Sequence, residues 1–123
     1  MGETMQLAAF YSEIGVDMNE VIKRMGLTEK HLKKYLRKFL ENKEYEKLTR
    51  AVEEKDYPNA EWAAHTLKGV CANLGLEILL GDFQEIVNAV RNGKTELVYD
   101  LYQRSSGDYT RVMNLLHQAD IAE

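Results

Sequence analysis

The stretch of sequence that decides the fold runs from Ala60 to Gly75 and reads AEWAAHTLKGVCANLG. At 100° per residue, one narrow stripe of a helix with this sequence collects its small and apolar side chains. The members of this stripe are Ala60, Ala63, Ala64, Leu67, Val70, Cys71 and Leu74. His65 lies roughly 160° from Leu67 around the helix. We therefore predict an exposed histidine on a helix whose opposite side is buried.

The surroundings of His65 are the second informative feature. Residues three and four positions away share its patch of helix surface; these are Glu61, Trp62, Lys68 and Gly69, with Ala72 one turn further along. A glycine inside a helix costs about 1 kcal/mol relative to alanine, and Gly69 is too far from Gly75 to end the helix. We interpret Gly69 as a point where another protein can approach the imidazole, with Lys68 supplying a cation. An ordinary solvated surface is the interpretation that the spacing alone leaves open.

Glycine, asparagine and the single proline divide the rest of the chain into further helices. The predicted segments are 5–14, 18–25, a helix capped by Thr28, a helix after Asn42 that runs through Lys55, 60–74 with Asn59 as its cap after a break at 56–59, 77–92, and a last helix from Thr95 to about His117. The triplet Ser105-Ser106-Gly107 predicts a kink or short break in the last helix.

Short connections between these helices favour antiparallel neighbours. We find no strand alternation, repeat or linker in the sequence. The prediction is an all-α fold, an antiparallel up-down four-helix bundle with one or two short N-terminal helices. At 123 residues we expect a single domain, 1–123, with the bundle core at about 27–118.

Composition excludes several classes of protein. The one cysteine, Cys71, cannot form an internal disulfide, and no apolar stretch is long enough for a membrane span. No secretory signal is visible, so we expect a cytoplasmic protein. The three histidines are dispersed and no cysteine cluster, phosphate-binding glycine loop or nucleotide-binding motif occurs. We therefore expect no metal site and no intrinsic cofactor.

Nucleic-acid binding is an alternative that the basic residues between Lys23 and Lys47 raise. The net charge of −4 argues against it. Leu32, Leu36 and Phe39 recur at helical spacing within the same run, which is typical of an amphipathic helix with a solvated basic face. We expect no nucleic-acid partner.

The segment His65–Gly75 resembles the signature of histidine-containing phosphotransfer (HPt) domains: a histidine, two residues, lysine-glycine, and a small-residue run that closes on a second glycine. Arg24-Met25-Gly26, followed by Leu36 and Phe39, is similar to the glycine lead-in and first bundle helix of that family. The resemblance extends from about Val16 to Leu116.

This resemblance implies that His65 is the phosphoacceptor, that Lys68 stabilises charge and that Gly69 gives access. Glu61, Trp62, Ala72 and Gln84 are then the predicted partner-binding residues. Family members often place a glutamine of the next helix beside the histidine. Here Val87 occupies the aligned position and Gln84 lies one turn nearer the hairpin, so Gln84 is the candidate and a solvated amide is the alternative.

The resemblance also implies the partners: receiver domains of response regulators, a hybrid sensor histidine kinase, or both. Mg²⁺ is expected on the receiver, and we expect this chain to be a monomer. No ATP-binding or kinase domain fits in the chain, so we expect a phosphoryl carrier and no enzyme. Two further interpretations stay open, a helical interaction module with an unused histidine and an HPt-type domain of a larger hybrid or chemotaxis-type kinase.

Overall fold

The structure is a computed structural model that describes residues 4–122. Within these residues it has seven α-helices, one 3-10 helix and no strand, which confirms the predicted all-α fold. The helices are α1 (Leu7–Glu13), α2 (Met18–Met25), α3 (Glu29–Leu40), α4 (Glu44–Glu53), α5 (Tyr57–Leu74), α6 (Glu77–Arg91), the 3-10 helix (Thr95–Leu97) and α7 (Val98–Gln118). An isolated bridge between Met5 and Ala119 ties the segments before α1 and after α7.

The helices α4 to α7 form the four-helix bundle. Helix α5 packs against both α4 and α6, α6 packs on α7, and α7 returns to contact α4. The connections at 54–56 and 75–76 are short, which makes the helices that they join antiparallel. The predicted short N-terminal helices are α1 and α2, and α3 packs across α5 and α7. No helix in the described part of the chain is long and apolar enough to span a membrane.

The turn from α4 into α5 differs from the prediction. Helix α4 ends at Glu53, and Lys55 turns the chain with a φ of +54°. Asp56, and not Asn59, is the N-cap of α5, because its carboxylate accepts the backbone N–H of Asn59 at 3.3 Å. Pro58 then fits within the first helical turn, where backbone N–H groups have no partner inside the helix. The helix therefore begins three residues earlier than expected.

The far end of α5 is held by α1 and α2. Gly75 ends the helix with a φ of +71°, and a Cβ at this position would lie 2.4 Å from Cγ2 of Val21. Tyr11 donates its hydroxyl to the carbonyl of Leu74 at 2.6 Å. Arg24 donates to the carbonyl of Ala72 at 2.9 Å. These two hydrogen bonds satisfy carbonyl groups that the helix end leaves open.

The apolar stripe of α5 faces the core as predicted, with one exception. Its members Ala60, Ala63, Ala64, Leu67, Cys71 and Leu74 are all buried. Val70 is 38% exposed because it borders a groove and not the bundle interior. Burial raises the pKa of the Cys71 thiol to about 12, so this cysteine stays protonated and contributes only packing.

Of the kink or short break predicted in the last helix, the break is wrong. Helix α7 runs without interruption through Ser105-Ser106-Gly107. Ser105 is buried, and its hydroxyl donates to the carbonyl of Tyr102 at 2.7 Å, inside the helix. The ring of Tyr45 stacks on that of Tyr109 with centroids 3.8 Å apart. Packing of α4 on this part of α7 therefore holds a segment helical that is weak by local propensity. Thr95 is also not the cap of α7, since it begins the separate 3-10 helix.

Candidate functional site

His65 lies near the middle of α5 with its side chain exposed. Within residues 4–122 the imidazole has no hydrogen-bond or ion-pair partner. His31, in contrast, lies in the capping turn of α3, with Nδ1 3.0 Å from Oγ1 of Thr28. His117 is in the last turn of α7. We call the surface formed by Glu61, Trp62, His65, Lys68, Gly69 and Ala72 the His65 face.

Gly69 is exposed, one turn after His65, and no packing within the described part of the chain requires a glycine there. Apart from the backbone of its own helix, a Cβ built at this position meets no atom of residues 4–122 within 4 Å. The backbone there is helical, so no positive φ calls for glycine either. An alanine would fit and would favour the helix. A requirement for glycine at this position would therefore have to come from a molecule outside the chain.

Lys68 is partly buried beside the histidine. Among the described residues it forms no ion pair, so its ammonium group is uncommitted. A lysine with its stem packed on the helix surface and its charge in solvent is free to follow an anion that comes close. The position next to His65 therefore combines an open nucleophile with an unpaired cation.

Glu61 connects this face to the next helix. Its Oε2 lies 2.9 Å from Nε of Arg91 on α6. The sequence analysis placed Glu61 on the face and missed Arg91, because a partner thirty residues away leaves no local signal. Since α5 and α6 are antiparallel, this pair shows which of their residues lie at the same height. His65 lies four residues after Glu61 on α5. Because the helices run in opposite directions, the residues of α6 at the same height lie three or four positions before Arg91, and these are Val87 and Asn88.

The glutamine expected beside the histidine is engaged elsewhere. Gln84 donates its amide to Oδ1 of Asn88 at 2.8 Å, along its own helix. By the alignment of the two helices, Gln84 lies at the height of Lys68. Val87 is buried and Asn88 is exposed. Asn88 is therefore the polar side chain of α6 at the height of His65, and the sequence analysis missed it although the four-residue spacing from Gln84 was visible.

Trp62 and Ala72 mark the two ends of the His65 face. Trp62 is 70% exposed, an unusual position for so large an apolar ring. It borders a shallow groove against α4 that includes Lys47 and Arg50. Ala72 is partly buried and borders a larger groove of about 970 Å³, between α5 and the helices α2 and α3. The face thus has an apolar side chain at each end, and the Glu61–Arg91 ion pair lies at its rim.

The remaining predictions concern metals and the basic run. No group of three potential metal-binding side chains occurs among residues 4–122. In α3, Leu32, Leu36 and Phe39 are buried, so the apolar side of the basic run belongs to the core. Lys30, Lys34 and Lys38 are exposed, as expected for an amphipathic helix. Lys33 is the exception, because its side chain is only 18% exposed and pairs with Glu29 and Asp120.

Comparison with known proteins identifies the family. The family model of the Hpt domain matches residues 34–120, which is more than half of the chain and includes the whole bundle with His65. Comparisons with curated proteins and with solved structures gave no match. Hpt domains are phosphoryl carriers of two-component signalling, and they interact with receiver domains and histidine kinases. By the extent of this match, the chain belongs to the Hpt domain family.

Proposed function

We propose that this protein accepts a phosphoryl group on His65 from the phosphorylated aspartate of a receiver domain and passes it to a second receiver. The observation that carries this proposal is the placement of His65. It is exposed on α5, without a hydrogen-bond or ion-pair partner among residues 4–122, directly opposite the buried stripe and with open backbone at Gly69 one turn away.

The chemistry needs little from the carrier itself. A neutral imidazole offers a lone pair on one ring nitrogen while the other keeps its proton. That lone pair attacks the phosphorus of the aspartyl phosphate, a P–N bond forms, the P–O bond breaks, and the aspartate leaves as a carboxylate. The reverse attack by another aspartate regenerates the imidazole. Such transfer depends mainly on positioning and on neutralising charge.

The residues around His65 have separate roles in this proposal. Lys68 stabilises the phosphoryl oxygens during transfer, because its ammonium group is unpaired among the described residues. Gly69 lets the receiver approach the imidazole. Mg²⁺ belongs to the acidic pocket of the receiver and is not a cofactor of this chain. The protein acts as a monomeric carrier in the cytoplasm and has no kinase activity.

The receiver contacts the His65 face and the adjacent surface of α6. Trp62 and Ala72 offer apolar contacts at the two ends, and the Glu61–Arg91 pair forms part of the charged rim. Gln84 adds a polar contact from α6. A small contact with a charged rim suits a transient complex, so we expect micromolar affinity.

The proposal is tested by phosphotransfer from purified receivers. Each receiver is phosphorylated with a small phosphodonor, freed of excess donor and mixed with the carrier. We expect an acid-labile, base-stable phosphoryl group on this chain from at least one receiver of its organism, and loss of that group when a second receiver is added. If no receiver transfers, the chain is a helical interaction module whose histidine is unused.

A further inference from the structure

The seam between α6 and α7 contains a buried acidic side chain that the proposed phosphotransfer does not use. Asp82 on α6 is only 6% exposed. Its Oδ1 lies 3.5 Å from Nε of Arg104 on α7. Its Oδ2 is fully buried and has no hydrogen-bond donor among residues 4–122. A buried, ionised carboxylate whose oxygen accepts no hydrogen bond destabilises the fold, and this favours the protonated form of Asp82.

The charges that face Asp82 do not balance when every acid is ionised. Asp108 lies one helical turn after Arg104 on α7 and interacts electrostatically with Asp82. Arg104 is the cation of the cluster, and its guanidinium also pairs with Glu85. Asp82 and Glu85 therefore share one positive charge, and Asp108 adds a third carboxylate to the cluster. Helix α5 and the 3-10 helix also pack on α6. Within the described part of the chain, neither of them has a charged group that acts on Asp82.

A hydrogen bond between two carboxyl groups requires a proton, because two carboxylates offer acceptors only. We propose that Asp82 and Asp108 bind one proton between them, which makes this pair a proton-binding site that joins α6 to α7. The proton supplies the donor that Oδ2 of Asp82 otherwise lacks. It also lowers the excess negative charge around Arg104.

The electrostatics of the seam support this site. Burial, followed by the hydrogen bond and repulsion from Asp108, raises the pKa of Asp82 to about 7, while Arg104 acts in the opposite direction. In the unfolded chain an aspartate loses its proton near pH 4. The folded state therefore holds the proton at pH values where the unfolded state has released it. The stabilisation is full at the acidic end of this window and is lost as the pH rises through about 7.

The test combines urea unfolding between pH 5 and 8 with NMR titration of the aspartate side-chain carbons. We expect the unfolding equilibrium constant of the wild type to rise with pH, by at most about tenfold per pH unit for one proton. Asp82→Asn and Asp108→Asn should flatten this dependence. Asp100→Asn, an exposed acid on the same helix α7, should keep it.

Several results would overturn the site. One is an unchanged pH dependence in both variants, and another is a titration of Asp82 and Asp108 in the wild type at ordinary aspartate values. The NMR measurement decides the matter even when a variant fails to fold, because it uses the unmodified protein. Stabilisation of the wild type by millimolar Mg²⁺ at pH 8, absent in Asp82→Asn, would show that the pair holds a cation and no proton.

Discussion

Arg91 on α6 lies 2.9 Å from Glu61 on α5, and this ion pair marks how the two antiparallel helices are aligned. By this alignment Asn88 lies at the height of the histidine and Gln84 at that of Lys68. The side-chain amide of Gln84 donates a hydrogen bond to that of Asn88. Polar side chains of α6 therefore extend the His65 face, and the sequence analysis identified Gln84 among them but missed Asn88.

The first prediction concerns the acceptor. His65→Gln should abolish acid-labile phosphorylation by a receiver and leave the helical content unchanged, because the side chain is exposed and forms no hydrogen bond or ion pair among the described residues. Phosphoryl uptake and far-UV circular dichroism measure the two effects. His31→Gln and His117→Gln are the matched controls and should be phosphorylated normally. Loss of uptake in either control, with His65→Gln still active, would refute the assignment.

The second prediction concerns access at Gly69. Gly69→Ala should stabilise the protein by up to about 1 kcal/mol, since a Cβ there meets no atom and alanine favours the helix. Gly69→Leu should fold as well but slow transfer strongly, because the larger side chain blocks the approach to His65. Transfer rate and thermal unfolding are measured on the same samples. A leucine variant that transfers at the wild-type rate would remove the steric argument.

The third prediction separates charge from docking. Lys68→Ala should reduce the transfer rate more than the receiver affinity, because its proposed partner is the moving phosphoryl group. Trp62→Ala should weaken receiver binding and change the stability by less than about 0.5 kcal/mol, since its ring is 70% exposed. Affinity by calorimetry and single-turnover rates test both. A large loss of stability in Trp62→Ala would mean that the ring covers the adjacent helix instead.

The fourth prediction concerns α6. Asn88→Ala should shift the imidazole nitrogen signals of His65 in NMR spectra, because the Glu61–Arg91 pair aligns Asn88 with the histidine. Gln84→Ala should shift them less, since Gln84 lies about one turn away along the helix pair. A larger effect from Gln84 would show that the alignment of the two helices is wrong.

The fifth prediction concerns the end of α5. Gly75→Ala should be strongly destabilising, because alanine in the left-handed conformation costs about 1 to 2 kcal/mol and the clash with Val21 adds typically about 1 to 3 kcal/mol. Gly93→Ala is the control, since Gly93 has a φ of +72° and open space around it. Urea unfolding should show a clearly smaller loss for Gly93→Ala. Equal losses would mean that Val21 moves aside freely.

Much of the fold follows from local sequence patterns. The apolar stripe of Ala60–Leu74 indicated which side of α5 is buried, and Thr28 and Gly26 marked helix ends that the structure has. Such features depend on residues three or four apart, so the sequence displays them directly. The Ser105-Ser106-Gly107 segment is the opposite case. Its weak local propensity predicted a break, and packing against Tyr45 overrides it.

The sequence by itself determined that His65 points away from the core with Lys68 and Gly69 beside it, because a helix repeats every 3.6 residues. Only the tertiary structure decided what α6 brings to that face, since the Glu61–Arg91 pair joins residues of different helices. It also decided that Asp82 is buried against Arg104 and Asp108, and that Val21 lies against Gly75. The physical reason is the same in each case. Helical periodicity determines the face on which a residue lies, whereas its partners on other helices depend on how those helices pack.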